Sequence, residues 1–177
     1  MKTKFNDPLL TAGKATSILL MGLTGLVTVI LIGVIPVLLL NQAEFASAVA
    51  ESGGNDTASA LVASIALLTI AALVTAAACH FFQLLKRLID TVGNNEPFST
   101  ENAERLARMG WIALAFQIAS FPIAALVVYL GHLVPAENLE VDYDFSLTGL
   151  LLALVLFILA RVFRRGTEMR DDLEGTV

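Results

Sequence analysis

Four long apolar runs, separated by short charged connections, set the plan of this chain. Residues 17–40, 61–85 and 110–134 contain no Asp, Glu, Lys or Arg. The fourth run, 145–163, is uncharged as far as Ala160 and then meets Arg161. A helix rises about 1.5 Å per residue, so about 20 residues cross a hydrocarbon core of roughly 30 Å. The first three runs have length to spare for tilt. The fourth is short, and it reaches full span when Arg161 extends its guanidinium to the interface. The pattern predicts an all-α integral membrane protein, a four-transmembrane-helix bundle in one domain over residues 1–177.

Charge placement orients the spans. All 11 Lys and Arg residues fall in alternate connections. Lys2, Lys4 and Lys14 precede the first run; Lys86, Arg87, Arg105 and Arg108 lie in the inner loop 86–109; Arg161, Arg164, Arg165 and Arg170 end or follow the fourth. The connections 41–60 and 135–144 hold Glu44, Glu51, Asp56 and Glu137, Glu140, Asp142, Asp144 without a base. Positive charge is retained in the cytoplasm, so these two are outer loops and both termini are cytoplasmic, as in a multi-pass protein of the bacterial cytoplasmic membrane. Trp111 near the inner boundary and Tyr129 and Tyr143 toward the outer one agree with interfacial aromatic belts.

Composition narrows the class further. With 56% hydrophobic residues in 177, a soluble fold would leave large apolar patches in water. The net charge of −5 says little, because the charges are confined to short blocks. Ala48-Val49-Ala50 has the small-x-small form of a signal cleavage site, but the preceding apolar run is far longer than a signal h-region and the site lies beyond its end, so a retained span is expected. Asn55-Asp56-Thr57 matches a glycosylation sequon, a pattern short enough to arise by chance.

The inner loop is the most structured connection. Gly93-Asn94-Asn95-Glu96-Pro97 reads as a turn, after which Ser99 or Thr100 caps a short cytoplasmic helix. Glu101 with Arg105 and Glu104 with Arg108 stand at i,i+4 in the better orientation, and this helix runs into the third span. The tail, 164–177, reads as a continuing helix with Arg164–Glu168 and Arg170–Glu174 spacings.

Candidate chemistry is sparse. The spans hold no centrally placed acidic or basic residue, the usual mark of coupled ion transport. Gln117, with Ser120 nearby, is the central polar pair; it could line a path or coordinate a ligand, but an interhelical hydrogen bond of about 1 kcal/mol is the commoner role. Cys79 alone forms no internal disulfide, and Cys79, His80 and His132 do not assemble a metal set. No phosphate loop, His-Glu-x-x-His or Ser with both His and carboxylate in reach is present, so neither an enzyme nor a cofactor is expected. Three arginines after the fourth run suit anionic headgroups better than nucleic acid, and direct DNA binding is not expected. Ala71, Ala72, Thr75, Ala76 and Cys79 put small residues on adjoining faces of the second span, fit for a central helix or for a homo-oligomer seam. Pro36 and Pro122 fall inside spans, where each removes a backbone hydrogen bond.

Two cytoplasmic segments carry a resemblance. Pro97-Phe98 followed by Asn102 and Leu106, and Val162-Phe163 followed by Gly166, Arg170 and Asp172, are similar to the paired signatures of the bacterial membrane family termed domain of unknown function 2975. The tail here closes Leu173-Glu174-Gly175-Thr176-Val177, where members often end in Glu-Leu-Thr-Val-like residues. The resemblance implies four spans and a frequent genetic neighbour, a small helix-turn-helix regulator, and the family has no established catalytic activity. The expected function is therefore a non-enzymatic membrane partner of such a cytoplasmic protein, docking through Pro97, Phe98, Asn102, Arg105, Arg164, Arg165 and Arg170. A small transporter or channel subunit using Gln117 and Ser120 is the alternative.

Overall fold

A computed structural model of the chain describes residues 8–93, 98–134 and 147–174. Among these residues every regular element is a helix: α1 (Pro8–Leu40), α2 (Gln42–Glu51), α3 (Thr57–Gly93), α4 (Thr100–Leu133) and α5 (Leu147–Glu174). Four of them, α1, α3, α4 and α5, are long and apolar enough to cross a membrane. Each contains one apolar run, and each runs on past the charged residues at its end. Helices extend there because an existing helix adds a backbone hydrogen bond for each further residue, whereas a new one must be nucleated. Pro36 and Pro122 sit within α1 and α4, which continue on either side of them.

The chain divides into two compact units: Met1–Leu23 with Ala77–Phe116 and Ser146–Val177, and Thr24–Ala76 with Gln117–Phe145. In the first unit the core is Leu84 of α3, Leu106, Met109 and Ala113 of α4, and Ala153, Leu156 and Ala160 of α5. Alanine at three of these positions lets helix backbones approach closely, the packing that favours association in lipid. Phe157 fills the approach at Gly110, where an added Cβ would lie 3.0 Å from the ring, and Trp111 meets the same ring edge-on at 5.3 Å. The N-terminal part of α1 joins this unit through Lys14–Asp90 at 2.6 Å, Ser17 buried to 1%, and the Cys79 thiol, 3.6 Å from the Met21 carbonyl.

The second unit holds a helix where the sequence suggested only an outer loop. Asn41 closes α1, its backbone N–H and side-chain amide both donating to the Val37 carbonyl, and α2 begins at the next residue. Helix formers fill α2, Val49 is buried, and the helix stops at Ser52-Gly53-Gly54. Gly53 has φ +85°, a conformation that favours glycine, while the N–H groups of Ser52, Gly53 and Gly54 donate back to Ala48, Ala50 and Val49. A Cβ at Gly54 would collide with the Leu133 carbonyl. Asp56 then starts α3 by accepting from the Ser59 N–H at 3.0 Å. Ala48-Val49-Ala50 thus lies inside a helix. In the same unit the Thr28 hydroxyl donates to Thr75 Oγ1 at 2.9 Å, so the small-residue face of α3 is engaged by α1 within one chain.

The outward faces are apolar. Leu26, Val29 and Ile30 of α1, Leu73 of α3, and Leu151 and Leu154 of α5 are all more than half exposed. Water would penalise such a surface; lipid chains do not.

Candidate functional site

Every described Lys and Arg belongs to the first unit, and the second unit's described charges are Glu44, Glu51 and Asp56. The first unit also brings together the two sequence motifs. Ser99 is the helix cap: its hydroxyl and carbonyl accept from the Asn102 N–H at 3.2 and 3.0 Å, and its carbonyl also accepts from Ala103. Capping leaves Phe98 outside the helix start, where its ring lies 5.3 Å from that of Phe163. Gly166, one turn along α5, admits the ring: a Cβ there would stand 2.7 Å from Phe98 Cδ1. Phe98 nevertheless keeps 44% of its surface exposed.

Asn102 is fully buried. Its Oδ1 accepts from Thr91 Oγ1 of α3 at 3.0 Å and from Arg105 Nη1 at 2.8 Å. The other arm of Arg105 donates to Glu101 at 2.6 Å, and the Arg105 side chain is only 18% exposed. Asn102 and Arg105 therefore fix the end of α3 against the start of α4, and their side chains present little to a docking molecule. Leu106, the next motif position, is in the core.

The remaining candidates are distributed as follows. Arg164, Arg165 and Arg170 are exposed on α5, and Pro97 lies outside the described residues. Glu101–Arg105 and Glu104–Arg108 form, the latter at 3.4 Å. The expected Arg164–Glu168 pair does not: both side chains are exposed and, among the described residues, no carboxylate pairs with Arg161, Arg164 or Arg165. An exposed i,i+4 pair is worth only about 0.3–0.5 kcal/mol, too little to overcome a competing side-chain position. The Arg170–Glu174 pair involves a side chain outside those described. Ser120 is exposed and donates to the Gln117 carbonyl of its own helix at 2.6 Å; the half-buried Gln117 amide has no interhelical partner among the described residues. Cys79 is half-buried and His80 and His132 are exposed. Among the described residues no three His, Cys, Asp or Glu side chains converge.

Sequence reasoning missed two features of this unit. Lys14–Asp90 joins residues far apart in sequence, which no local pattern could pair. Gly110 beside Phe157 left only the weak signal of a glycine opening an apolar run.

Four helices long and apolar enough to span a membrane, with lipid-compatible faces, mark a helical membrane protein. The chain belongs to the family described as "Protein of unknown function (DUF2975)", which matches residues 44–177 and so covers all but the first few residues of α2 through to the end. No curated protein and no solved structure matches the chain.

Proposed function

We propose that this is a non-enzymatic protein of the cytoplasmic membrane, with both termini inside, that holds a soluble cytoplasmic protein at the membrane. The observation that carries the reading is the convergence of the two motifs: Phe98 packs on Phe163 and Gly166 yet stays 44% exposed, outside the apolar run. Aromatic and arginine side chains are favoured anchors of protein interfaces. Phe163, Gly166 and Arg170 follow one another at three- and four-residue steps, so Phe98 and Arg170 share one face of α5. A small helix-turn-helix regulator is the partner the family resemblance suggests. The collection of every described Lys and Arg in one unit supports the orientation.

The test is co-purification in mild detergent with a tagged small helix-turn-helix regulator of the kind the resemblance implies. Phe98→Ala with Arg170→Gln is expected to reduce capture at least ten-fold, the loss typical of one interface anchor, with membrane insertion unchanged. Undiminished capture by an inserted variant refutes the docking surface. Orientation is checked separately with Asn55→Cys in a Cys79→Ala background, which a membrane-impermeant maleimide should label from outside. The transporter or channel alternative draws on the Gln117 amide, without an interhelical partner among the described residues, and solute flux into proteoliposomes lost in Gln117→Leu would favour it instead.

A further inference from the structure

On the side of α5 away from Phe98 runs a second stripe. Phe157, Ala160, Arg161, Arg164, Arg165 and Glu168 follow the three- and four-residue spacing of one helix side, and with Ala107 of α4 they line a groove of about 460 Å³. The stripe changes character along its length, from apolar through triply cationic to a single carboxylate. Seven residues, roughly 10 Å, separate Phe157 from Arg164. The three guanidiniums are exposed and, among the described residues, unpaired. They stand where the apolar run of a candidate membrane span ends.

We propose that this groove is a binding site for one anionic phospholipid, with its phosphodiester on Arg161, Arg164 and Arg165. Planar guanidinium forks suit phosphate oxygens, and a site at the end of a span presents them at headgroup depth. The apolar floor of Ala107, Phe157 and Ala160 takes the upper part of an acyl chain, and Trp111, edge-on to Phe157, extends that surface. A free phosphate ion would leave this floor empty. Glu168 disfavours a second phosphate and accepts hydrogen bonds from a hydroxylated headgroup, so phosphatidylglycerol fits better than a doubly charged lipid. The site stands independently of the soluble partner, since Phe98 and Arg170 lie on the other face.

Native mass spectrometry of the full chain in mild detergent, titrated with phosphatidylglycerol or phosphatidylcholine, tests the assignment. The wild type should hold one phosphatidylglycerol about ten-fold more tightly than phosphatidylcholine, and millimolar inorganic phosphate should not displace it. Replacing Arg161, Arg164 and Arg165 with Gln should weaken that lipid about 100-fold, roughly five-fold per arginine. The charge-matched replacement of Lys86, Arg87 and Arg108 with Gln should stay within about three-fold of wild type, because these residues lie outside the groove. Ala107→Leu, which fills the groove without changing charge, should weaken binding about ten-fold and serves if the triple variant fails to insert. Unchanged binding in either groove variant overturns the proposal. Equal loss in the charge-matched control shows diffuse attraction instead, displacement by inorganic phosphate shows a free-anion site, and binding of a soluble protein in place of lipid assigns the arginines to docking; each of these also overturns it.

Discussion

Removing the Asn102 side chain should unfasten α3 from α4 at the charged end of the first unit. Asn102→Ala deletes an acceptor that serves Thr91 at 3.0 Å and the Arg105 guanidinium at 2.8 Å, in a position with no solvent exposure. Thr91 can still donate to the Leu88 carbonyl at 2.7 Å, so its loss is the smaller. The Nη1 arm of Arg105, on a side chain only 18% exposed, is left with a buried charged donor and no acceptor. A hydrogen bond to a charged group contributes about 1.5–3 kcal/mol and a neutral one about 1 kcal/mol, giving a destabilisation of about 2–4 kcal/mol. A residue that merely stood in the first turn of a helix would cost about 1 kcal/mol or less. Trp111 is the only tryptophan and touches the Phe157 ring of the same unit, so its emission during denaturant unfolding in mild detergent reports the transition. Asn102→Asp keeps the acceptor and should recover more than half of the loss. Adding Thr91→Val to Asn102→Ala should cost less than the sum of the separate changes, because the two share one bond. An Asn102→Ala protein within about 0.5 kcal/mol of wild type would refute the reasoning.

Three further outcomes follow from particular contacts. Gly54→Ala must displace the Leu133 carbonyl or the Val49 side chain, and should lower stability by about 1–3 kcal/mol in thermal unfolding, whereas Gly33→Ala, with open space around it, should not. Lys14–Asp90 is about half exposed on both sides, so Lys14→Ala should cost only about 0.2–1 kcal/mol, and exchanging the two charges should restore most of it in a double-mutant cycle. Hydrogen bonds from Ser59, hydroxyl first and backbone N–H second, hold the Asp56 carboxyl below its ordinary range. A depressed carboxylate supports the fold above its unfolded pKa and loses that support as pH falls through the folded one. The Ser59 amide resonance should therefore titrate with a midpoint below the ordinary aspartate value, and Asp56→Asn should abolish the titration; a midpoint above that value would refute the cap.

What the sequence determined by itself is what depends on neighbours along the chain and on the solvent. Four long apolar runs, three of them uncharged throughout, called for lipid as their medium, and the structure has a span-length helix at each. Ser99 as cap and Glu101–Arg105 as an i,i+4 pair were legible because their partners lie within one helical turn. Helix α2 was legible in principle, from helix formers closed by Ser52-Gly53-Gly54, but its length is too short for the apolar-run criterion that found the others. The tertiary structure alone decided which faces meet. It put Asn102 inside, although an asparagine near a helix start is as well suited to the surface, and it seated Phe98 over Gly166, 68 residues along the chain by number. It also left Arg164 apart from Glu168, joined Lys14 to Asp90, and set Gly54 against the Leu133 carbonyl. The physical reason is that hydropathy and helix spacing act within about one turn, while packing in lipid depends on which small or shaped surfaces find each other, and no one-dimensional pattern records that choice.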